Sequence, residues 1–358
     1  MKQEDVRSCG SSLRVVVLGS AQDGGLPQMG SQHKRDVEAR LCPERVRLGP
    51  SICVLDSRVG KTLLIDVSPD IKQQTDRLFS SLSSSSAAAS SERRSKRNPY
   101  DAVVLTHAHM GHYAGLVHFG REAAASQELP VYATPSMCTF LERNAPWELL
   151  VRLKNIQLHP IRPIPDNEEA VEPTEYEFSP WEGLRVKLYQ VPHRGEYTDT
   201  VGVSINDTLL YIPDIDSWSQ WKRFHEVPSS FFFLSVCFRS CSLFFSNFSL
   251  LSLCLSLCLS LSLATIQAIT AHSTCMVDAT FFSETELDGR DMKEVPHPLV
   301  TSSIEQFEPF LLAEHREKRI LLTHLNHTNP LCDEESAEAK HVREKGFLIA
   351  QDMMWLNL

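Results

Sequence analysis

Positive charge is scarce in this chain of 358 residues, with 35 Lys and Arg against 45 Asp and Glu and a formal net charge of −10. That balance argues against a broad nucleic-acid-binding face. The one basic cluster, Arg93, Arg94, Lys96 and Arg97, lies in a serine-rich stretch and reads as a solvated loop. Paired cysteines are also missing. Ten cysteines are scattered and no C-x-x-C occurs, which points to reduced thiols and a cytoplasmic setting rather than a disulfide framework. The opening Met1-Lys2-Gln3-Glu4-Asp5 has no apolar core of the kind a secretory signal needs. Gly24-Gly25 is followed by no Gly-Lys-Ser/Thr, so it does not cradle phosphate.

What the chain does have is histidine at strand ends. Ala102-Val103-Val104-Leu105 reads as a short buried strand, and it runs into Thr106-His107-Ala108-His109-Met110-Gly111-His112. His107 and His109 are two residues apart, so on extended backbone they share a face and can grip one ion. His112 leaves the following turn and can face a second position. Other segments read as strands: 13–20, 51–56 and 62–66 joined through Gly60, 130–133, 156–160, 184–189, 201–205 and 208–214 joined through Asn206-Asp207, 274–282, 319–323 and a closing 347–350. Helices are expected over 70–79, 113–125, 137–142, 147–153 and 302–313. The mixture is α/β. His159, beside Pro160, reads as structural.

The histidine cluster resembles the H-x-H-x-D-H signature of metallo-β-lactamase-fold proteins, with Gly111 where that family usually has Asp. The run Leu18-Gly19-Ser20-Ala21-Gln22-Asp23-Gly24-Gly25-Leu26-Pro27-Gln28 is similar to the opening of the pyrroloquinoline quinone biosynthesis protein B family, a branch of that fold. Members often carry structural-zinc cysteines just after this loop. Here Ser31 and His33 stand there, with Cys42 further on. The resemblance implies a four-layer αββα sandwich. It implies that His193, in Val191-Pro192-His193-Arg194-Gly195, is the third ligand of the first metal site. It implies that Asp214 bridges two ions, with Asp216 the alternative, and that His324, in Leu322-Thr323-His324-Leu325-Asn326-His327, serves the second site. His112 would join His324 there. His327 is expected to meet substrate or to be exposed. Asp278 reads as structural or as a support for a ligating histidine, and His297 as a residue of the site entrance.

Two stretches interrupt an otherwise single domain expected over 13–350. Ser80–Arg97 is low in complexity and reads as a disordered loop. From Ser229 to Leu263 every residue except Val236, Arg239 and Asn247 is Ser, Leu, Phe or Cys. Length would permit a membrane span. A single crossing, however, would place Asp214 and His324 on opposite sides, so no membrane is expected and the stretch reads as a translated repeat without function.

The resulting expectation is a metal-dependent hydrolase that uses a metal-activated hydroxide on a small ester, thioester or phosphodiester. Zinc, one or two ions per chain, is the expected cofactor, and iron or manganese would also suit imidazole and carboxylate ligands. The alternatives are an iron-dependent oxidoreductase of the same fold and a non-catalytic binding protein with a degenerate site. The partner is a small molecule, not nucleic acid, and a homodimer is left open. Gly111 takes a carboxylate away from the second site, which leaves three outcomes: that site is weak or empty, Asp216 or Asp278 replaces the carboxylate, or the centre has lost catalysis. Restoring the carboxylate by Gly111→Asp is expected to raise occupancy of the second site.

Overall fold

The computed structural model describes residues 12–83, 98–162, 175–221, 261–287, 296–312 and 318–358. One sheet is formed by β1 (Leu13–Gly19), β2 (Ser51–Asp56), β3 (Lys61–Ile65), β4 (Ala102–Val104), β5 (Leu129–Ala133), β6 (Ile156–Pro160) and a last strand, Trp355–Asn357, which is β14. Its order is β14-β1-β2-β3-β4-β5-β6. The other is formed by β7 (Glu175–Trp181), β8 (Leu184–Gln190), β9 (Val201–Ile205), β10 (Leu209–Ile212), β11 (Thr274–Asp278), β12 (Arg319–Thr323) and β13 (Leu348–Ile349), in the order β13-β12-β11-β10-β9-β8-β7. The helices are α1 (Lys34–Leu41), α2 (Ile71–Ser83), α3 (Met110–Tyr113), α4 (Pro135–Arg143), α5 (Trp147–Arg152), α6 (Leu263–Ala271), α7 (Val300–Leu312) and α8 (Ala337–Glu344).

A strand covered on both faces must be apolar on both, and β2 is buried at every position. Alternation then divides the side chains between two layers. Val15, Val17, Ile52, Val54 and Ile65 meet Val186, Leu188, Val203, Met276 and Leu321 between the sheets. The intervening Val16, Leu18, Cys53, Leu64 and Val103 face outward onto α2 and α4 through Ile71, Leu78, Met137 and Leu141. On the far side, Ile212, Cys275, Val277 and Ile320 pack against α6, α7 and α8 through Ala268, Phe307 and Val342. The result is the expected αββα sandwich.

β3 to β6 run parallel to one another, as do β10 to β13. The exits of β3, β4, β10, β11 and β12 meet at one edge of the sandwich, where the histidines lie. Among the described residues, no helix is long and apolar enough to cross a membrane.

Several element boundaries differ from expectation. The helix expected over 70–79 continues to Ser83, and the Ser81 and Ser83 hydroxyls donate back to Leu78 and Phe79 carbonyls. Four residues of the stretch read as disordered are therefore helical, and 84–97 lie outside the described residues. The helix expected over 113–125 starts earlier and ends sooner, as α3 followed by a 3-10 turn, Ala114–Phe119. The Gly115 N–H donates to Val67 O at 3.0 Å, and a Cβ on Gly115 would sit 2.0 Å from Ser68 O. The turn thus presses on the exit of β3, which only glycine permits. The fold also continues past residue 350, since β14 pairs with β1 at the sheet edge. The repetitive stretch ends inside the fold: Leu261 is buried in the outer core and Ser262 caps α6 by accepting from Thr265 N at 3.1 Å. Residues 222–260 lie outside the described residues.

Candidate metal centre

Thr106 and Asp66 anchor the site. Thr106 leaves β4 and donates its N–H and hydroxyl to Asp66 Oδ1, both at 2.9 Å. Since that hydroxyl proton is committed, the 2.9 Å contact between Thr106 Oγ1 and His107 Nδ1 requires the imidazole to donate. His107 Nε2 is then the lone-pair nitrogen. The same logic fixes His112, whose Nδ1 lies 2.7 Å from Asp66 Oδ2. It fixes His193, with Nδ1 at 2.8 Å from Asp216 Oδ1. His324 donates from Nδ1 to Thr280 Oγ1 at 2.9 Å, and Thr280 passes its proton to Asp278 Oδ1 at 2.7 Å. His109 is turned the other way: its Nε2 faces Glu196 Oε2 at 2.9 Å, so its Nδ1 points inward. Each imidazole is held from outside by an oxygen and offers a lone pair to the centre, as ligating histidines do.

These lone pairs converge. His107, His109 and His193 can present ligand atoms within 4.8 Å of one another, and so can His107, His112 and Asp214. His109 Nδ1 and His193 Nε2 are only 3.2 Å apart, with the protons of both rings committed elsewhere. Asp214, at the end of β10, lies between the groups. Its Oδ2 is 3.0 Å from His112 Nε2, 3.3 Å from His324 Nε2 and 3.9 Å from His107 Nε2, and its Oδ1 is 3.7 Å from His193 Nε2. Four of these atoms, His107 Nε2, His112 Nε2, His324 Nε2 and Asp214 Oδ2, are buried without a hydrogen-bond partner. Leaving a buried polar atom unpaired costs about 1–3 kcal/mol, so four aimed at one spot call for a cation. The donor set, imidazole and carboxylate, fits zinc, iron or manganese.

The electrostatics agree. Burial holds His107 well below the usual imidazole range, with the neighbouring His112 adding to the effect. Burial also opposes charge on His112, but Asp66 and Asp214 outweigh it and raise His112 well above its ordinary value. Burial would likewise raise Asp214, yet His324 and His112 hold it well below the carboxylate range. The site is arranged to receive positive charge. Asp66 and His324 keep φ values of 62° and 63°, a region that costs a non-glycine residue and is retained where surroundings dictate it.

The two residues expected to substitute for a carboxylate at 111 do not. Asp216 is turned to His193, and Asp278 accepts from Ile215 N, Thr280 and His297. Instead Asp23, from the loop after β1, enters the site with Oδ1 3.3 Å from His112 Nε2 and 3.8 Å from His324 Nε2. A Cβ built on Gly111 would lie 2.3 Å from that same oxygen, so the room that Gly111→Asp was expected to fill is taken.

The remaining histidines divide. His327 donates from Nδ1 to Asp36 Oδ2 at 2.7 Å and lines the cavity of ≈ 190 Å³ over the site. His297 lines it too; burial lowers its pKa, but Asp278 outweighs this and brings it to about 8. His159 is remote and stacks on Tyr132 with ring centroids 4.9 Å apart. Asp66, Asp23, Glu196 and Asp36 were not singled out from sequence. For Asp66 a signal existed, because it closes an apolar strand as Asp214 nearly does and Asp278 does.

Fold and site together define a metallo-β-lactamase-fold protein, and the Beta-lactamase superfamily domain matches residues 61–236. Within that class the chain is similar to coenzyme PQQ synthesis protein B. It is 26% identical to the protein of that name from Methylobacterium radiotolerans, across 97% of this chain and 100% of the relative. The structure of Zn(2+)-bound PqqB from Methylobacterium extorquens superposes with a TM-score of 0.65 at 22% identity, covering 96% of this chain and all of the other. A diphosphatase from the PhnP family superposes with a TM-score of 0.54 at 19% identity, covering 96% of each chain. The imidazole and carboxylate donor set of the centre suits zinc.

Proposed function

We propose that the chain is a metal-dependent hydrolase of a small ester, thioester or phosphodiester. His107, His109 and His193 hold one ion, and His112, His324 and Asp214 hold a second. The observation that carries this is the set of four unpaired buried donor atoms gathered at Asp214, one from the first group and three from the second. When bound, the metal supplies a Lewis acid and lowers the pKa of water toward about 7. The chain's own residues do the rest. Asp214 stands between the two histidine groups, where it can hold both ions in register. Arg194, Asn326, Gln22 and Gln28 line the cavity with polar groups and one cation, which suits an anionic or ester substrate. His327, whose Nδ1–H is held by Asp36, lines the same space, and its Nε2 can take the proton that the attacking water releases and give it to the leaving oxygen. The cavity is small for a ligand pocket, and the likeness to PQQ synthesis proteins also speaks for a small substrate.

The test is metal content by mass spectrometry, together with hydrolysis of p-nitrophenyl esters, a thioester and a bis-aryl phosphodiester. The expected result is about two zinc ions per chain, with one lost in His107→Ala and one in His324→Ala, and hydrolysis that falls with them. No metal after purification in unchelated buffer would overturn the proposal. Iron with substrate-dependent oxygen consumption would replace it by the oxidoreductase.

A further inference from the structure

The loop after β1 is fixed to the loop that carries His324. Ala21 and Leu325 form a parallel bridge, with Leu325 N donating to Ser20 O and Gln22 N to Leu325 O, both at 3.0 Å. Gln22 Nε2 adds a bond to Asn326 Oδ1 at 3.1 Å. Asp23 is therefore placed beside His324 by backbone pairing, not by a flexible excursion.

Four donor atoms meet here. The separations are 3.0 Å (His112 to Asp214), 3.3 Å (His324 to Asp214), 3.3 Å (His112 to Asp23) and 3.8 Å (His324 to Asp23). Nitrogen and oxygen ligands lie about 2.0–2.2 Å from zinc, and around a tetrahedron this puts them roughly 3.3–3.6 Å from each other. The observed spacings bracket that value. His112 Nε2, His324 Nε2 and Asp214 Oδ2 are buried and unpaired, so the fourth member completes a set that already needs a cation.

We infer that Asp23 is a ligand of the second metal ion, reaching it from the β1 loop, and that Gly111 is glycine to make room for it. The inference rests on the two-ion reading above and adds the fourth donor to its second site. Position 111 is tied to Asp23 by three contacts at once: a Cβ there would lie 2.3 Å from Asp23 Oδ1, 2.5 Å from Cγ and 2.6 Å from Cα. The last two are not relieved by a rotation of χ2, so any side chain at 111 displaces the Asp23 backbone. A carboxylate can enter this site from the β1 loop or from α3, but not from both.

The experiment measures zinc stoichiometry and the affinity of each site by titration into metal-stripped protein, with the cobalt absorption spectrum as a second readout. Folding of every variant is checked by circular dichroism. Asp23→Asn keeps the shape of the side chain and should weaken the second site by about tenfold or more while the first is unchanged. Gly111→Asp should also lose the second ion, because it collides with Asp23. Asp23→Gly with Gly111→Asp should not restore the second ion, because residue 23 still presents its Cα 2.6 Å from a Cβ at 111. If Asp23→Asn binds both ions with unchanged affinity while His324→Ala loses one, the inference fails and the two-ion reading stands. If wild type binds fewer than two ions, or His324→Ala retains both, the two-ion reading fails and this inference with it.

Discussion

Asp66 Oδ2 lies 2.7 Å from His112 Nδ1, inside the protein, where neither residue reaches solvent. The same carboxylate takes both protons of Thr106, whose hydroxyl in turn accepts from His107. One side chain thus orients a ligand of each proposed ion. Asp66→Asn should disturb both sites together, because an amide cannot accept from the Thr106 N–H, the hydroxyl and His112 at once. Loss of such a partner typically costs 10- to 100-fold in metal affinity. Zinc titration of the variant checks this, and weakening confined to one ion would count against the shared anchor.

The sheets are also joined at their other end. Asp56 at the end of β2 accepts from Trp181 Nε1 of β7 at 3.0 Å and binds Arg58 through both carboxylate oxygens. Asp56→Ala leaves the buried indole N–H unpaired, which costs about 1–3 kcal/mol. The hydrogen bond to Arg58 lowers the Asp56 pKa despite opposing burial. A depressed carboxylate pKa stabilises the fold above the unfolded value of about 3.9 and loses that contribution as pH falls through the folded value. The stability gap between wild type and Asp56→Asn should therefore be full at pH 6 and close below pH about 4. Urea midpoints across pH measure it; a gap that stays constant to pH 3 would refute the charge component.

The described residues on either side of 222–260 are neighbours in space. Trp218 O accepts from Ser262 N at 3.3 Å and from Thr265 Oγ1 at 2.6 Å, and Trp221 and Leu261 share one core. Residues 229–260 can thus be removed, with 222–228 left to close the gap. Soluble yield should be kept or improved, and loss of folding would refute this. Extending the deletion to Leu263 should do harm, since it removes the α6 cap, at about 0.5–2 kcal/mol, and the buried Leu261, at about 2–5 kcal/mol. Thermal unfolding of the two deletions side by side separates these outcomes.

The histidines were legible because ligands cluster within a few residues at the ends of apolar strands, a local pattern. Of the carboxylates that hold them, Asp278 was expected as such a support and stands behind His324 through Thr280; the others were not, because each comes from another element. Asp66 leaves β3, Glu196 and Asp216 come from loops after β8 and β10, and Asp23 is brought in by the Ala21–Leu325 bridge. Gly111 alone suggested a missing carboxylate; only its distance to Asp23 reveals that the space is full. The unforeseen strands have a similar cause. β14 has three residues and β7 is broken by a register shift between Phe178 and Trp181, so neither has the length over which alternation becomes visible. Both are edge strands that owe their shape to a single neighbour.

His327 is the residue of the site's mouth whose support is most specific. Asp36 is buried in the first turn of α1, where it holds the loop that precedes the helix. Its Oδ1 accepts from Gln28 N at 2.6 Å, and its Oδ2 from Ser31 Oγ at 2.6 Å and His327 Nδ1 at 2.7 Å. Arg35 closes the same loop by donating to Thr328 O at 2.7 Å. Nδ1–H is thereby committed to Asp36, so Nε2 is the nitrogen that takes up a proton and gives it to the leaving group. Asp36 is a positioning residue, so Asp36→Asn should lower kcat about 10- to 100-fold by loosening His327 while leaving zinc stoichiometry unchanged. His327→Ala should lower kcat by a similar or larger factor, and the double variant should be no worse than His327→Ala, since the two act as one unit. The comparison is to be made with an activated and an unactivated leaving group. Only the unactivated one needs a proton, so the activated aryl substrate should be nearly indifferent to His327→Ala. Equal losses on both substrates would assign His327 to binding instead.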